Sequence, residues 1–399
     1  LFSNKMKHRC HIICCIVFLV LLVSTCSTIL SPLVDVIITV KTKVDIIAKC
    51  VQSLREYKPQ PSILRQRIIF IDDGSPHSTV LFQSDLCRRY PEDFLCLKTK
   101  PTLRGYTRAI NMGIRVGTGS GFEAGTGVQN HSIASSVGKT ASTDRIEGGK
   151  VYVKSEAVVL LNSDTVVTRY WLESLFSVIS TNDTTNTLNS TKPVALVGPI
   201  SNAATFQSVP HIKFKPAKGK NSTWSTNPLP ERLNLQDYAH QLRTIAQDEL
   251  HLRPVPFGIL NGFCLMISRS ALEAIGPFDE KNFPSGYGEE VDYAVRAHQG
   301  GFVSYVIPSV FIYHQKTASF TERSKIVLKT KANQYLKEKY SKAVLAQLTE
   351  GSLSVLSELR QAASRIYGKY NTSTGYPYPH GPQPHLPASN SKISSALLQ

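Results

Sequence analysis

The sequence predicts an α/β protein with a mostly parallel sheet and helices on both faces. From Val34 onward, short apolar runs alternate with segments in which apolar residues recur at helical spacing. The runs are apolar at successive positions, which is typical of parallel strands that are buried on both faces. Several runs end abruptly in polar residues, and open parallel sheets bind their ligands at the carboxyl ends of the strands.

Each element follows from a short stretch of sequence. Apolar runs predict strands in the segments 35–40, 67–75, 93–98, 157–164 and 194–201, and later in GFCLMISR and VFIYH. Helical spacing predicts helices after the first strand, in RGYTRAINMGIR, in RYWLESLFSVI and in the segment 232–250. Because strands and helices alternate along the chain, the connections are those of a parallel sheet.

Composition limits the class of protein. The 399-residue chain has 42% hydrophobic and 9% aromatic residues, which is typical of a globular protein. Its net charge of +16 favours partners that carry phosphate or form an anionic surface. The sequence has no zinc-finger spacing, RNA-binding signature or compact Lys/Arg block, so we do not expect a nucleic-acid partner. Isolated cysteines such as Cys264 are predicted to lie in the core, and one or two disulfides are compatible with the spacing.

The N-terminal segment has the composition of a membrane-targeting sequence. Basic residues precede an apolar run, and no charged residue occurs from Cys10 to Val34. We predict a cytoplasmic tail of residues 1–9 and a transmembrane signal anchor at 10–32, with a cleaved signal peptide as the alternative. The expected product is a single-pass type II membrane protein with a lumenal domain in the Golgi or ER. Sequons for N-glycosylation agree with this orientation: Asn130, Asn182, Asn189, Asn221 and Asn371.

The remaining boundaries follow from changes in composition. Residues 33–320 form the predicted α/β domain, within which the Gly-, Ser- and Thr-rich segment 116–150 is predicted to be a flexible insertion. Residues 321–368 are predicted to be a C-terminal helical region. Residues 369–399 lack a packing pattern and are predicted to be a disordered tail.

Polar residues stand at the ends of three predicted strands. Thr39 is near the end of the first strand, Asp72 and Asp73 end the second, and Asn162-Ser163-Asp164 ends a later one. Each group alone is typical of a turn. Their equivalent positions in a parallel sheet instead indicate a site for a nucleotide and a metal ion. A GxGxxG fingerprint is missing after the first strand, which argues against a Rossmann oxidoreductase.

A second group of polar residues is acidic. Glu289, Glu290 and Asp292 lie close together in GYGEEVD, within a chain that is strongly basic. Acids at a helix start are the structural alternative, whereas a general base needs one carboxylate that faces a cleft. Glu290 and Asp292 are two residues apart, so they cannot share a helix face. His314 ends a later strand and is expected near Asp164.

The order of these motifs is similar to that of a known family. DVIITV, IDDGS, GYTRAINMGI, VVLLNSDT, NGFCLMISR, GPFDE, GYGEEVDYAVRA and YHQKTASF follow one another along the chain. In this order they resemble the family 2 glycosyltransferases with a GT-A fold, and in particular the bacterial-type enzymes of rhamnan and O-antigen assembly. The resemblance runs from about residue 34 to residue 320, apart from the insertion. One departure is VKTK after the first strand, where relatives usually have Pro and Asn.

The resemblance implies roles on the donor side of the site. Thr39, Asp72 and Asp73 match positions that bind the nucleotide, and Asn162 would bind ribose or phosphate. Asp164 matches the last position of a D-x-D motif and would bind Mn²⁺ or Mg²⁺ that bridges the donor diphosphate.

The resemblance also implies roles for metal, catalysis and acceptor. His314 would complete the metal site, and Glu290 would be the general base, with Glu289 and Asp292 beside it in the catalytic group. The acceptor side would be lined by Asn261, Gly262 and Phe263.

The resemblance implies an inverting, metal-dependent transfer of a sugar from a nucleoside-diphosphate sugar to a hydroxyl of a glycan or polysaccharide. One alternative is a membrane-anchored pseudo-transferase that binds sugar nucleotides or glycans without turnover. The other is a nucleotidyltransferase that acts on sugar phosphates. It would require a Gly-rich, Arg-containing loop after the first strand, which this sequence lacks.

Overall fold

The computed structural model describes residues 31–118, 146–147, 150–151, 154–180, 190–216, 222–225, 227–316, 322–352 and 354–370. The predicted tail of residues 1–9, nearly all of the predicted anchor, most of the 116–150 insertion and the chain beyond residue 370 lie outside these ranges. The glycosylation sequons lie outside them as well. Within the described ranges, no helix has the length and apolar composition needed to span a bilayer.

The strands and helices predicted from the sequence are present. The strands are β1 (Leu33–Val40), β2 (Arg65–Asp72), β3 (Phe94–Lys98), β4 (Ile146–Glu147), β5 (Lys150–Val151), β6 (Ala157–Leu161), β7 (Thr165–Val166), β8 (Val194–Ser201), β9 (Lys213–Pro216), β10 (Ser222–Ser225), β11 (Val255–Pro256), β12 (Cys264–Ser268) and β13 (Val303–His314). The helices are α1 (Val44–Glu56), α2 (His77–Arg89), α3 (Tyr106–Thr118), α4 (Trp171–Ser180), α5 (Leu235–Thr244), α6 (Arg269–Ile275), α7 (Glu289–Gln299), α8 (Glu322–Lys339), α9 (Lys342–Thr349) and α10 (Ser357–Tyr370). Strands β2 and β6 end at Asp72 and Leu161, three residues before the predicted limits, and the helix predicted over 232–250 spans Leu235–Thr244.

The main sheet is mixed rather than mostly parallel. Its path is β11–β13–β8–β12–β6–β1–β2–β3, and the short β7 pairs with β13. Strands β6, β1, β2 and β3 are parallel to one another, and β13 is parallel to β8. Strand β12 is antiparallel to both of its neighbours, which corrects the prediction. An apolar run reports burial but not strand direction, so the sequence pattern did not reveal this reversal.

Both faces of the sheet are covered by helices, as predicted. Within β1, Ile37 packs into one hydrophobic layer, while Val36 and Ile38 pack into the other. One layer contains residues of α1, α2 and α4. The opposite layer contains residues of α3, α5, α6 and α7. Because the strand is buried on both sides, it is apolar throughout.

The C-terminal helices α8, α9 and α10 pack into the same layer as α3. Each helix contributes buried apolar residues, among them Leu336, Leu348 and Leu359. The buried Arg360 of α10 donates hydrogen bonds to the carbonyl oxygens of Ser208, at 3.0 Å, and Phe206. These helices therefore hold the loop after β8 against the sheet.

A disulfide joins Cys87 at the end of α2 to Cys96 in β3. Strand β3 is the last strand of the main sheet, so it has a hydrogen-bonding neighbour on one side only. The cross-link attaches this edge strand to the helix that covers it. Cys264 is free and buried, as predicted from the sequence.

Replacing both Cys87 and Cys96 by serine is expected to lower the free energy of unfolding by about 2–3 kcal/mol, because the unfolded chain regains the freedom that the cross-link removes. Urea denaturation followed by circular dichroism measures the change. A reductant should destabilise the wild-type protein to the same extent and leave the double variant unaffected. Equal stability of the two proteins without reductant would contradict this role of the disulfide.

Candidate active site

The candidate site lies at one edge of the sheet, where the parallel strands β1, β2, β6, β8 and β13 have their carboxyl ends. The antiparallel β12 begins at the same edge, since Cys264 at its start pairs with Leu161 at the end of β6. The tripeptide 261–263, which precedes β12, therefore lies beside the strand ends. This is the edge at which the sequence predicted a ligand site.

A short antiparallel pairing brings Asp164 next to His314. Thr165 at the start of β7 pairs with His314 at the end of β13. The backbone N–H of Gln315 donates a hydrogen bond to the carbonyl oxygen of Asp164 at 2.9 Å. As a result, Nε2 of His314 lies 3.3 Å from Oδ1 of Asp164. The two predicted metal ligands are therefore neighbours, and both are buried.

The orientation of the His314 ring is fixed by its surroundings. Its Nδ1 lies 3.2 Å from the carbonyl oxygen of Ala203. Because a carbonyl can only accept, Nδ1 donates, and Nε2 is the ring nitrogen that faces Asp164. The ring also stacks on Phe263, with the ring centroids 5.3 Å apart. The side chain of Asn202 accepts from the backbone N–H of His314 at 2.8 Å and donates to its carbonyl oxygen at 3.1 Å.

The Asp164–His314 pair fits a divalent cation. A carboxylate oxygen and Nε2 of the imidazole face each other, and a divalent cation binds carboxylate oxygens and the Nε2 of a neutral imidazole. A histidine whose second ring nitrogen donates to a carbonyl is the usual arrangement of a metal ligand. The part of the chain that the structure describes has no cluster of three or more such ligands. Mg²⁺ and similar ions complete such sites with water and substrate phosphates.

Asp72 and Asp73 lie at the same edge and shape the turn after β2. Oδ1 of Asp72 accepts hydrogen bonds from the backbone N–H groups of Gly74, at 3.2 Å, and Ser75, at 2.8 Å. This carboxylate therefore closes an Asx turn. Asp73 accepts from the backbone N–H of Gly105 at 3.0 Å. Asp73 thus ties the end of β2 to the start of α3.

Gly105 permits a close approach between the two halves of the site. Its φ is +145°, and a Cβ at this position would lie 2.3 Å from the carbonyl oxygen of Pro284. A side chain would therefore separate α3 from the loop before α7. The hydroxyl of Thr107 adds a hydrogen bond across the same boundary, to the carbonyl oxygen of Phe283. The turn that contains Asp73 and the loop before the acidic residues of α7 are consequently held together at Gly105.

Asn162 and Thr39 lie at the ends of the neighbouring strands β6 and β1. The backbone N–H of Asn162 donates to the carbonyl oxygen of Phe263 at 2.8 Å. Its carbonyl oxygen accepts from the hydroxyl of Thr165 at 2.8 Å. These bonds hold the NSD turn between the tripeptide 261–263 and β7. Thr39 pairs with Ile71 and is partly exposed at the site edge.

Glu289 and Glu290 begin helix α7, directly after Gly288, whose φ of +100° favours glycine. Glu289 is only 6% exposed, and its Oε2 has no hydrogen-bond partner. Glu290 is partly exposed and accepts from the backbone N–H of Gly288 at 3.1 Å. Burial, and then the charge of Glu290, raise the pKa of Glu289 well above its usual value. Burial and both carboxylates also raise the pKa of Tyr106, which lies beside the pair.

The tripeptide 261–263 borders both pairs of functional side chains. A Cβ at Gly262 would lie 3.8 Å from Cβ of Glu290. The next residue, Phe263, stacks on His314. The Glu289–Glu290 pair (the acidic pair) and the Asp164–His314 pair therefore flank one short stretch of backbone. The sequence assigned this stretch to the acceptor side.

Asp292 does not join the acidic pair, which corrects its prediction as a catalytic residue. It is fully buried and accepts hydrogen bonds from Lys339 at 2.5 Å and Tyr340 at 2.7 Å. Its other oxygen pairs with Arg296 at 2.8 Å. Its place two residues after Glu290 turns it to a different side of the helix. There it fastens the end of α8 to α7.

Sequence reasoning missed the residues that support the predicted ligands. Asn202 and Gln207 lie in the segment 199–210, PISNAATFQSVP, to which the sequence pattern assigned no role. Oε1 of Gln207 accepts from the backbone N–H of Asn261 at 2.6 Å, and its amide donates to the carbonyl oxygen of Pro199 at 2.6 Å. The signal available in the sequence was the presence of two amide side chains in a segment whose other residues are mostly small or apolar.

Lys316 was also missed, although it follows His314 by only two residues. The residue as a whole is exposed. Loss of hydration at its amino group, and then the charges of Lys329 and Lys325, lower the pKa of Lys316 to about 8, against the opposing effect of Asp164. Three lysines therefore lie close enough to influence one another beside Asp164. Positive charge at this place suits an anionic substrate.

Comparison with known proteins finds a family resemblance in the N-terminal part of the described chain. The sequence model of Glycosyl transferase family 2 matches residues 35–120, which include most of β1 and all of β2, β3 and α3. These residues are similar to family 2 glycosyltransferases. The resemblance that the motifs indicated is therefore confirmed for this part of the chain.

Two curated relatives from Mycobacterium tuberculosis, of strains CDC 1551 / Oshkosh and H37Rv, are similar to part of this chain. Both bear the name N-acetylglucosaminyl-diphospho-decaprenol L-rhamnosyltransferase. Each is 38% identical over 73 residues, which is 18% of this chain and 23% of the relative. The matched part therefore spans about a quarter of the length of these relatives. The predicted likeness to bacterial enzymes of the rhamnosyltransferase type is confirmed at that extent.

Two solved structures share a distant overall likeness. GalNAc-T7 with UDP, GalNAc and Mn²⁺ has a TM-score of 0.46 and 12% identity, over 84% of this chain and 55% of the other. The mannosyltransferase PcManGT from Pyrobaculum calidifontis, in complex with GDP-Man and Mn²⁺, has a TM-score of 0.44 and 12% identity. That match covers 86% of this chain and 77% of the other.

The substitution Asp292→Ala is expected to lower the free energy of unfolding by about 3 kcal/mol, because it leaves Lys339 and Arg296 without their buried counter-charge. Chemical denaturation measures this loss. Asp85, which is partly exposed and pairs with the exposed Arg88 and Arg89, provides a control, and Asp85→Ala should have a much smaller effect. An Asp292→Ala protein as stable as the wild type would show that this carboxylate does not fasten α8.

Proposed function

We propose that the protein is an inverting, divalent-metal-dependent glycosyltransferase of the GT-A type. It would move a sugar from a nucleoside-diphosphate sugar to a hydroxyl group of a glycan or polysaccharide. The observation that carries the proposal is that the Asp164–His314 pair and the acidic pair both lie against the tripeptide 261–263. The reaction needs both: charge stabilisation on a diphosphate leaving group and removal of a proton from the acceptor hydroxyl.

In the proposal, the nucleotide of the donor lies across the ends of β1, β2 and β6. The side chains at this edge are those that the sequence assigned to it: Thr39, Asp72, Asp73 and Asn162. The match to the family 2 sequence model supports this assignment for Thr39, Asp72 and Asp73, which lie within the matched residues. The Asx turn at Asp72 and the bond from Gly105 to Asp73 keep this edge in one conformation.

Asp164 and His314 would hold the Mn²⁺ or Mg²⁺ ion. When bound, the ion supplies positive charge to the donor diphosphate as it becomes the leaving group. The Ala203 carbonyl oxygen, through its hydrogen bond with Nδ1, keeps the other ring nitrogen of His314 directed at Asp164. Lys316 adds positive charge on the same side of the site, together with Lys325 and Lys329.

Glu290 would act as the general base. As the acceptor oxygen attacks the anomeric carbon, the hydroxyl proton passes to the Glu290 carboxylate, and the bond from that carbon to the diphosphate oxygen breaks. Attack from the face opposite the leaving group inverts the anomeric centre. The tripeptide 261–263 lies against Glu290, so we assign the acceptor to this side.

The proposal includes a location on the lumenal side of the Golgi or ER, with the N-terminal segment as the membrane anchor. The Cys87–Cys96 disulfide supports this, because disulfides persist in oxidising compartments and are rare in the cytosol. The sequons and the basic residues before the apolar run agree with the same orientation.

Glu290→Gln is expected to lower the turnover number by about 10²- to 10⁴-fold, which is the usual contribution of a general base. The assay incubates the full-length protein in detergent with a panel of sugar nucleotides, Mn²⁺ and glycan acceptors, and measures acceptor-dependent release of nucleoside diphosphate. Asp164→Ala should abolish the release that Mn²⁺ supports.

The exposed Glu273 provides a matched carboxylate control, and Glu273→Gln should retain full activity. If Glu290→Gln and Asp164→Ala both retained the wild-type rate with the best donor, the proposed function would be wrong.

Lys316→Met is expected to raise the KM for the donor and the inhibition constant of the nucleoside diphosphate product by about tenfold each, since one favourable contact with the diphosphate is lost. The KM for the acceptor should change little. Steady-state kinetics with each substrate varied in turn give the KM for the donor and the KM for the acceptor separately. The exposed Lys342 serves as the control residue, and a rise in the acceptor KM alone would place Lys316 on the acceptor instead.

A further inference from the structure

We propose that Glu289 is a neutral carboxylic acid at physiological pH, and that it shares its proton with Glu290 and so positions Glu290 as the base. The acidic pair then carries one proton and one negative charge. The catalytic consequence rests on the proposed function, whereas the protonation state depends only on the environment of the side chain.

The burial of Glu289 is the first observation. Only 6% of the residue is exposed, and Oε2 is buried with no hydrogen-bond partner. The other oxygen, Oε1, would lie 4.0 Å from a Cβ at Gly262, so it faces the tripeptide 261–263. A buried carboxylate with an unpaired oxygen is strongly unfavourable, whereas the neutral acid is tolerated much better.

The neighbours of Glu289 are the second observation. Oε1 of Glu289 and Cγ of Glu290 would each lie 4.0 Å from a Cβ at Gly262, so the two side chains are neighbours on the same side of the helix start. The negative charge of Glu290 opposes ionisation of Glu289, and a hydrogen bond between two carboxyl groups requires a proton on one of them. From α3, the phenol of Tyr106 lies beside the pair and supplies no positive charge. Among the described residues, no Lys, Arg or His forms an ion pair with either glutamate.

The surroundings decide which of the two glutamates is ionised. Glu290 is partly exposed and accepts a hydrogen bond from the backbone N–H of Gly288 at the start of α7. A helix N-terminus stabilises negative charge there. The backbone N–H of Glu289 favours the ionised form of its side chain and so lowers its pKa. Burial and the charge of Glu290 raise the pKa more strongly. The proton therefore resides on Glu289 and the charge on Glu290.

The shared proton has a defined part in the reaction. The acid of Glu289 donates to one oxygen of Glu290, which leaves the other oxygen oriented to accept the proton of the acceptor hydroxyl. After transfer, each of the two carboxyl groups carries a proton. The second proton passes to water when the product leaves. Glu289 is thus a positioning residue, and Glu290 is the group that reacts.

The first test compares the thermal stability of wild type and Glu289→Gln between about pH 5 and about pH 8. The pKa of Glu289 in the folded protein is raised above the value of about 4.3 in an unfolded chain, so the folded state binds more protons in this range. Glu289 therefore costs stability increasingly as the pH rises. The melting temperature of Glu289→Gln relative to wild type should rise with pH, because the amide cannot ionise.

Glu273→Gln is the control for this test, since Glu273 is exposed and its replacement should give a difference that hardly changes with pH. A melting-temperature difference for Glu289→Gln that stays constant, or falls with rising pH, would overturn the proposal. The melting temperatures are measured without substrate, so this test gives a result even if the protein transfers no sugar.

The second test measures the role in transfer. Glu289→Gln keeps a hydrogen-bond donor beside Glu290 and should stay within about threefold of the wild-type turnover number, while Glu289→Ala should lose about tenfold or more. The wild-type rate should fall at alkaline pH as Glu289 loses its proton, and Glu289→Gln should lack this fall. If Glu289→Gln is as inactive as Glu290→Gln, Glu289 is itself an ionised base and the proposal is wrong. Absence of transfer by the wild type with every donor would instead refute the proposed function.

Discussion

The pairing of two residues of β7 with the end of β13 is the constraint on which the candidate site depends. This ladder places Thr165 opposite His314 and so sets Asp164 against the imidazole. Asn202 fixes the same end of β13 through hydrogen bonds to the backbone N–H and carbonyl of His314. Two residues that are far apart in the chain thereby become neighbours at the candidate site. If this ladder were lost, the proposed metal ligands would no longer face each other.

The C-terminal helices α8, α9 and α10 support this arrangement through the loop after β8. Arg360 of α10 binds the carbonyl oxygens of Phe206 and Ser208, in the loop that also contains Asn202 and Ala203. The helices bury their apolar residues in the same layer as α3, α5 and α7. Segments far from the chemistry thus determine where the His314 ring points. The C-terminal helices, the loop after β8 and the Asp164–His314 pair are therefore linked by contacts.

Much of the fold and part of the site could be predicted from the sequence. Strand ends such as Asp73 and Asp164 could be predicted because the apolar runs stop where the polar residues begin. The reversal of β12 was not found, since apolar runs are the same in either direction. Asp292 was assigned to catalysis because proximity in sequence does not reveal the partners that α8 brings to it. The role of Asn202 depends on a contact with His314 that no local pattern encodes.

The central claim is that Asp164 and His314 hold a divalent cation together with a nucleoside diphosphate. Electron paramagnetic resonance of Mn²⁺, titrated with the full-length protein in the presence of uridine or guanosine diphosphate, tests it most directly. The account predicts that protein and one of the diphosphates together remove the signal of free Mn²⁺. His314→Ala should weaken this binding by about tenfold or more, and Asp164→Asn should abolish it. Equal Mn²⁺ binding by wild type and both variants would contradict the account.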